Sequence, residues 1–175
     1  ACPDMSLETL VGDFKGKKAD VTTVIESRPE ILAHNVETVQ RMHPAVRPQA
    51  DYDRSLQVLA WIQEAGLVAK TSIMVGIGET DEEVHQVMAD IRTRANTDIL
   101  TIGQYLQPTR NHLPIDRWVT PEQFDSYRRI GLDMGFKVVE SGPLVRSSYH
   151  AEEQAEKLSP CGRETASAME AILAH

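Results

Sequence analysis

The stretch "KTSIMVGIGETDEEVHQVMADIRTR" (70–94) decides the fold class. Its first nine residues are mostly apolar and end in glycines, which is typical of a buried strand that runs into a turn. The remainder, 80–94, predicts a helix, because Thr80 is followed three residues later by Glu83, the spacing of a capping box. A buried strand followed at once by a helix is the repeating unit of a parallel α/β sheet.

The same alternation continues on both sides of this stretch. Five segments are predicted as strands: 7–14, 30–35, 70–78, 98–106 and 136–142. Five others are predicted as helices: 19–27, 36–42, 50–66, 80–94 and 120–135. Strands that alternate with helices over short loops indicate an α/β fold of parallel strands with outer helices, either a doubly wound sheet or part of a barrel.

The composition and charge argue against two classes of partner. The chain has 175 residues, which suits one domain, and a net charge of −8. Because binding to a phosphate backbone needs lysine and arginine, this acidic balance and the absence of a basic cluster predict that the chain binds no nucleic acid. No apolar run reaches the roughly 20 residues of a membrane helix, so we expect no membrane association.

The chain has two cysteines, Cys2 and Cys161, near its opposite ends. They match no spacing that is typical of zinc or iron–sulfur sites. A disulfide between them stays open as an alternative, but such sparse cysteine usage favours a reduced, cytoplasmic protein.

Polar and glycine residues follow the predicted strands at the points where the strands end. Because the carboxyl ends of parallel strands meet at one edge of a sheet, we expect these residues to form a pocket there. They are Asn35 and Glu37 at the end of the second strand, Gly76 and Glu79 at the end of the third, Gln104 and Tyr105 at the end of the fourth, and Arg146, Ser147 and Ser148 after the fifth.

Each of these features also has a purely structural interpretation. Asn35 could cap the next helix, and Gly76 and Gly78 could form an ordinary tight turn. Alternatively, the two glycines let backbone N–H groups approach an anionic ligand, although Asp81 replaces the third glycine of a dinucleotide-binding motif. Arg146 could bind a carboxylate or a phosphate, or it could cap the loop in which it lies.

Four segments, taken together, resemble lipoyl synthases in order and approximate spacing. They are "AHNVETVQRMHPAVRPQADYDRSLQVL" (33–59), "SIMVGIGETDEEV" (72–84), "LTIGQYLQPTRNHLP" (100–114) and "GPLVRSSYHAEEQA" (142–155). The resemblance covers about residues 5–157. It implies that residues 1–157 are the C-terminal half of a radical S-adenosylmethionine barrel that includes the RSSYH motif. Residues 158–175 are then a helical or flexible tail.

The resemblance implies an activity, a fold and partners. Lipoyl synthases use radical chemistry to insert sulfur at C6 and C8 of a protein-bound octanoyl-lysine. The family implies the C-terminal part of a partial (β/α)6 TIM-like barrel, and its complete enzymes use S-adenosylmethionine and two [4Fe–4S] clusters, one radical and one auxiliary. It also implies octanoylated lipoyl domains or the glycine cleavage H protein as partners. The expected location is the cytoplasm or, in a eukaryote, the mitochondrial matrix.

The resemblance also implies roles for the strand-end residues. "SIMVGIGE" (72–79) looks like the radical-enzyme motif G-x-I-x-G-x-x-E, with Ser72 and Met74 in place of its first Gly and its Ile. Gly76 and Glu79 keep the rest, which implies that they lie at the S-adenosylmethionine site. Two further candidates for contacts with that cofactor are Asn35 and Glu37. The candidates for substrate binding are Gln104, Tyr105 and Arg146.

A serine is implied as a metal ligand. In this family the Arg-Ser-Ser-Tyr motif supplies a serine oxygen to one iron of the auxiliary cluster. The resemblance places this ligand at Ser148, with Ser147 as the close alternative. A serine alkoxide is a harder and more easily displaced ligand than a thiolate, so the iron that it holds can leave when the cluster gives up sulfur.

The cysteine content departs from the family. Lipoyl synthases carry two cysteine triplets, CX4CX5C and CX3CX2C, and this sequence has neither. We therefore expect the chain to be the C-terminal half of the enzyme, inactive alone and dependent on an N-terminal half as its partner. Because a sheet cut from a barrel exposes an unpaired edge, we also expect instability or self-association.

Two other functions stay open. The chain could be a non-catalytic α/β binding module that keeps a pocket for S-adenosylmethionine or for the lipoyl domain. It could also be an unrelated α/β enzyme that binds a phosphate at the turn of Gly76 and Gly78.

Overall fold

A five-stranded parallel sheet is the framework of the computed structural model, which describes residues 6–148 and Leu158. The strands are β1 (Glu8–Leu10), β2 (Ile31–Ala33), β3 (Val68–Val75), β4 (Ile99–Gln104) and β5 (Val138–Gly142). They lie side by side in the order β1-β2-β3-β4-β5. Over the described residues the sheet is open, and its order runs in one direction, as in a barrel wall, without the reversal that defines a doubly wound sheet.

Helices connect the strands, as the alternating pattern predicts. They are α1 (Lys18–Glu26), α2 (His43–Val46), α3 (Tyr52–Glu64), α4 (Asp81–Ala95) and α5 (Pro121–Asp133). The main core forms between these helices and one face of the sheet, whose contributions include Leu32, Ile73, Leu100 and Val139. Among the helices of the described residues, none combines the length and the apolar character needed to cross a bilayer.

The opposite face of the sheet, here called the inner face, combines apolar and charged groups. A small apolar cluster lies on it: Ile31, Ile99 and Val138, packed with Val68 and Leu158. Two residues beyond Val68, and therefore on the same face, Lys70 is almost fully buried and its ammonium donates to the Glu8 carboxylate at 2.8 Å. Since a buried charge needs a partner, this ion pair ties β3 to β1.

Helix α4 begins immediately after the glycine turn because side chains cap its first turn. The Thr80 hydroxyl accepts from the backbone N–H of Glu83 at 3.3 Å, and the Glu83 carboxylate accepts from the N–H of Thr80 at 2.9 Å. This reciprocal pair confirms the predicted capping box. It sets the point at which the chain turns from β3 into α4.

The predicted helix over 36–42 is wrong. Glu37 instead pairs with β3: its N–H donates to the Ser72 carbonyl at 3.0 Å, and its carbonyl accepts from the N–H of Met74 at 2.8 Å. A short 3-10 helix (Gln40–Met42) follows, and α2 comes directly after it. Backbone pairing with a neighbouring strand outweighs the weak helical propensity of this segment, so Glu37 lies at the edge of the sheet.

The first predicted strand, over 7–14, is longer than the strand in the structure, since β1 ends at Leu10. The chain turns soon afterwards, where Phe14 and Lys15 have positive φ angles of 47° and 52°. The Asp13 carboxylate accepts from the N–H of Lys15 at 3.0 Å and stabilises this turn. A local side-chain hydrogen bond therefore ends the segment that its apolar residues alone would extend.

Candidate functional site

A cavity of about 170 Å³ lies at the carboxyl ends of β2, β3, β4 and β5. Five predicted site residues line it: Asn35, Glu37, Gln104, Arg146 and Ser147. Four others do not line it: Gly76, Glu79, Tyr105 and Ser148. The sheet therefore brings together predicted residues from the ends of β2, β4 and β5, whereas neither predicted residue of the glycine turn after β3 lines the cavity.

Asn35 and Glu37 carry hydrogen-bonding capacity that the described residues do not use. The side-chain Oδ1 of Asn35 is buried and accepts no hydrogen bond from them. The Glu37 carboxylate receives a long contact from Nη1 of Arg47, at 3.4 Å, and its side chain is 24% exposed. Because buried polar atoms are normally paired, an unpaired oxygen beside a cavity indicates a place for a polar ligand.

The backbone of Glu37 is strained, with a φ of +75°. Both its N–H and its carbonyl pair with β3, so the sheet holds the residue in a region that favours glycine. Strain of this kind costs about 1–2 kcal/mol and occurs preferentially at functional sites. The pairing with β3 thus determines how the Glu37 carboxylate enters the cavity.

The glycine turn after β3 is filled by a side chain of its own. The buried Glu79 carboxylate accepts hydrogen bonds from the backbone N–H groups of Gly76 (2.7 Å), Ile77 (2.9 Å) and Gly78 (3.2 Å). Three converging N–H groups form a nest for an anion, and here the anion is Glu79. This occupancy argues against a phosphate site in the turn, and it gives Glu79 the role of shaping the backbone.

Two glycines are required by close approach. At Gly76, where φ is +94°, an added Cβ would lie 2.3 Å from Nε2 of Gln104 and 2.5 Å from the carbonyl oxygen of Arg117. At Gly103, an added Cβ would lie 2.3 Å from the carbonyl oxygen of Val145. The first glycine lets the loop after β4 lie on the turn, and the second lets the segment after β5 lie on β4.

Gln104 and Tyr105, predicted as substrate contacts, tie down the loop that follows β4. The Gln104 side chain donates from Nε2 to the Arg117 carbonyl at 3.1 Å and accepts at Oε1 from the N–H of Val119 at 3.0 Å. The Tyr105 hydroxyl donates to the carbonyl of Leu113 at 2.9 Å. Their polar atoms therefore order this loop, while Gln104 also contributes to the cavity wall.

A cluster around Arg117 was not predicted from the sequence. Its Nη2 donates to Oδ1 of Asp81 at 2.7 Å and contacts the Tyr127 hydroxyl at 3.3 Å and Oε1 of Glu79 at 3.4 Å. The Tyr127 hydroxyl donates to the same Asp81 oxygen at 2.6 Å. No spacing in the sequence relates Arg117 to Asp81, because they meet only when the loop after β4 folds over the start of α4.

The charge states in this cluster follow from its hydrogen bonds. Burial raises the pKa of Asp81, but hydrogen bonds from Tyr127 and Arg117 outweigh burial and hold that pKa below its usual range. Burial and the hydrogen bond to Asp81 raise the pKa of the Tyr127 hydroxyl. The aspartate is therefore charged and the tyrosine neutral at physiological pH.

The RSSYH motif reaches the cavity through its first residues. Nη1 of Arg146 donates to the carbonyl of Val145 at 2.8 Å. Ser147 is half-buried and lines the cavity, whereas Ser148 is exposed and does not. Residues 149–150 lie outside the described part of the chain. The assignment of a cluster ligand to Ser148, with Ser147 as the alternative, stays a prediction.

The described residues do not fit an iron–sulfur cluster. Such clusters are held mainly by cysteine thiolates, and both Cys2 and Cys161 lie outside the described part of the chain. Within residues 6–148, no group of three or more His, Cys, Asp or Glu side chains could hold a metal ion. The predicted reduced state of the two cysteines stays a prediction for the same reason.

Comparison with known proteins supplies the family. The Radical SAM superfamily model matches residues 4–91, which is half of the chain. The chain belongs to the radical SAM superfamily. The matched residues contain β1, β2 and β3, the glycine turn, and the two residues with unused hydrogen-bonding capacity, Asn35 and Glu37. The predicted α/β fold of parallel strands with outer helices is confirmed, and it agrees with membership of this superfamily.

Curated lipoyl synthases are similar to this radical SAM chain over most of its length. The enzyme of Rubrobacter xylanophilus is 54% identical over 156 residues, which are 88% of this chain and 48% of the relative. That of Bacteroides thetaiotaomicron is 52% identical over 151 residues, 86% of this chain and 53% of the relative. The mitochondrial lipoyl synthase of Nematostella vectensis is 51% identical over 152 residues, which are 86% of this chain and 52% of the relative. The resemblance read from the motifs is confirmed, and the chain spans about half the length of the curated relatives it matches.

The cavity residues fit a ligand with an amino-acid end, such as S-adenosylmethionine. The Glu37 carboxylate can accept from an ammonium group, and the unpaired Oδ1 of Asn35 can accept from a further N–H or O–H group. The guanidinium of Arg146 can bind a carboxylate. These three side chains therefore offer both charges that a zwitterionic group needs.

Proposed function

We propose that this chain is the carboxyl-terminal part of a lipoyl synthase, which inserts sulfur at C6 and C8 of a protein-bound octanoyl-lysine. The observation that carries the proposal is the identity of 51% to 54% with bacterial and mitochondrial lipoyl synthases over most of the chain. The position of the cavity supports it, because ligand sites in parallel α/β barrels lie at the carboxyl ends of the strands.

In this proposal the ends of β2 and β3 bind S-adenosylmethionine. When bound in the complete enzyme, this cofactor supplies the radical that abstracts hydrogen from the substrate. Glu37 accepts from its ammonium group, and Asn35 accepts a hydrogen bond at its unpaired oxygen. Gly76 stays a proposed cofactor contact at the turn that follows β3. Glu79 acts through the three backbone N–H groups that it holds.

The ends of β4 and β5 are assigned to the substrate and to the auxiliary cluster. Gln104 and Tyr105 order the loop beside the substrate, and Arg146 holds a negative charge or the motif itself. Ser148 is the proposed oxygen ligand of the auxiliary [4Fe–4S] cluster, with Ser147 as the alternative. Because the described residues do not fit a cluster, the thiolates for both [4Fe–4S] clusters come from an N-terminal half, and no step of the reaction is assigned to this chain alone.

The proposed partners follow from the reaction. The complete enzyme acts on octanoylated lipoyl domains or on the glycine cleavage H protein, which carry the octanoyl-lysine. The proposed location is the cytoplasm or, in a eukaryote, the mitochondrial matrix, since similar lipoyl synthases occur in bacteria and as a mitochondrial protein.

The second candidate function is a non-catalytic binding module. It is favoured by one observation, the presence of two cysteines where two triplets are needed. Such a module would keep the cavity of Asn35 and Glu37 for S-adenosylmethionine, or keep a surface for the lipoyl domain, without forming a radical.

Complementation tests the proposed function. The chain is mixed anaerobically with the N-terminal half of the Rubrobacter xylanophilus relative, iron, sulfide, S-adenosylmethionine and an octanoyl-lysine peptide, and lipoyl formation is followed by mass spectrometry. We expect lipoyl product from the mixture and none from either half. Full cluster assembly with tight S-adenosylmethionine binding but no lipoyl product would support the binding module instead.

Serine variants test the ligand assignment in the same mixture. We expect Ser148→Ala to abolish sulfur insertion while the two halves still associate and S-adenosylmethionine is still cleaved. Ser147→Ala is the matched control, since the two serines are neighbours in one segment. Loss of sulfur insertion in Ser147→Ala alone would move the ligand to Ser147, and unchanged product in both variants would refute a serine ligand.

A further inference from the structure

The loop after β4, residues 105–120 and here called the strap loop, lies directly on the glycine turn. The N–H of Asp116 donates to the carbonyl of Gly76 at 2.9 Å. The carbonyl oxygen of Arg117 lies only 2.5 Å from the place that a Cβ of residue 76 would occupy, and it also accepts from Nε2 of Gln104. The backbone of the strap loop is thus held against the turn by both β3 and β4.

The side chain of Arg117 then reaches past the turn to the start of α4. Its Nη2 lies 2.7 Å from Oδ1 of Asp81 and 3.4 Å from Oε1 of Glu79, the carboxylate that fills the three-amide nest. Its Nε is buried and has no partner among the described residues. A guanidinium held by Asp81 therefore places positive charge beside the buried side chain of Glu79.

We infer that Arg117 is a positioning residue for the glycine turn: it fastens the strap loop to the start of α4 and keeps the Glu79 carboxylate in the nest of Gly76, Ile77 and Gly78 N–H groups. It acts through Glu79 and does not line the cavity. An effect of Arg117 on the affinity for S-adenosylmethionine rests on the proposed function. Its effect on the hydrogen bonds of the glycine turn does not.

Arg41 offers a matched control on the other side of the same turn. Its Nη2 donates to the carbonyl of Gly78 at 2.8 Å, and its guanidinium also pairs with Glu83 of the capping box. This arginine touches the turn as Arg117 does, but its side chain is 56% exposed and does not contact Glu79. Arg41→Ala and Arg117→Ala each remove one arginine that contacts the turn. Only Arg117→Ala removes the side chain that contacts Glu79.

Amide hydrogen exchange tests the inference on the chain itself. We expect Arg117→Ala to speed exchange of the Gly76, Ile77 and Gly78 amides by about tenfold more than exchange in the centre of β3, because the nest then opens locally. Arg41→Ala should leave these three rates close to wild type. Unchanged rates in Arg117→Ala, or an equal change in both variants, would overturn the inference.

A conservative variant covers the case in which Arg117→Ala does not fold. Arg117→Lys keeps the positive charge but replaces the pre-organised guanidinium, whose Nη2 contacts both Asp81 and Glu79, by an ammonium on a flexible stem. We therefore expect an intermediate rise in the same exchange rates. Exchange rates as slow as those of the wild type in Arg117→Lys would show that charge alone suffices and would overturn the positioning role.

Calorimetric titration with S-adenosylmethionine separates this inference from the proposed function. We expect the Kd to rise by about tenfold in Arg117→Ala and to stay unchanged in Arg41→Ala. A wild-type chain that binds no S-adenosylmethionine would count against the proposed function, while the exchange rates would still decide the role of Arg117.

Discussion

At the residue scale, Gly76 is required more by the close approach of the Arg117 carbonyl than by the positive φ of its turn. Gly76→Ala would place a methyl group 2.5 Å from the fixed carbonyl oxygen of Arg117, in a residue whose φ is +94°. We expect a loss of about 2–4 kcal/mol in the free energy of unfolding, from strain and overpacking together. Denaturant titration monitored by circular dichroism measures this loss.

Gly78→Ala is the control for that substitution. Its φ is +132°, but the nearest atom to an added Cβ is the flexible Cε of Met42, at 3.6 Å. Because only backbone strain is added, we expect a loss of about 1–2 kcal/mol. Equal losses in the two variants would mean that the approach of Arg117 contributes nothing.

The strained backbone of Glu37, with a φ of +75°, predicts that two variants at this position differ in stability. Asparagine tolerates the left-handed region better than alanine does, so we expect Glu37→Asn to be about 0.5–1 kcal/mol more stable than Glu37→Ala. Both variants should lose affinity for S-adenosylmethionine, because both lack the carboxylate. Thermal melts and calorimetric titration measure the two effects; an alanine variant as stable as the asparagine variant would contradict the strain.

At the scale of the element, the start of α4 makes stability depend on pH. The hydrogen bond from Arg41, together with that from the N–H of Thr80, lowers the pKa of Glu83 from 4.5 to about 2. A carboxylate with a lowered pKa contributes stability that is fully present above pH 4.5 and is lost as the pH falls toward 2. The capping box is therefore weakened by acid.

The Glu83→Gln variant tests this dependence, because glutamine keeps the capping hydrogen bond and loses the charge. We expect it to be about 0.5–1 kcal/mol less stable than the wild type at pH 7, and the difference to vanish between pH 4.5 and 2. Unfolding free energies measured across that range check the prediction. In an Arg41→Gln background the difference should be smaller at every pH; a constant difference down to pH 2 would contradict the role of the charge.

Elements were predictable where the local pattern and the tertiary structure agree. The strand at 70–78 and the helix at 80–94 could be read from apolar runs, glycines and one capping box, and both are confirmed. The helix at 36–42 could not be corrected from the sequence, since Glu37 is held by hydrogen bonds to Ser72 and Met74 on another strand. Pairing between distant segments carries no local signal.

At the scale of the whole molecule, the β1 edge of the sheet favours self-association of the isolated chain. β1 has three residues and pairs with β2 on one side; within the described residues no strand pairs with its other side. Leu7 and Leu10 beside this edge are each 54% exposed. Parallel strands are rarely left uncovered, so we expect the isolated chain to self-associate or to melt without a sharp transition.

Sedimentation velocity over a range of concentrations, with thermal melts at each, checks that expectation. Leu10→Lys should reduce association, because a charge at an exposed edge opposes strand addition. Adding the N-terminal half should replace self-association by a one-to-one complex. A monodisperse monomer with a sharp, cooperative melt would contradict the prediction.

The amino-acid sequence alone predicts the α/β class, the main strands and helices, the family and several of the residues that line the cavity. These features depend on periodicity, capping and motifs, which are local in the chain, and on strand ends, which parallel topology must bring to one edge. The tertiary structure alone decided that Glu79 fills the glycine turn, that Gln104 and Tyr105 hold the strap loop, and that Arg117 meets Asp81 and Tyr127. Each of these depends on the approach of segments far apart in sequence, whose distances no local pattern encodes.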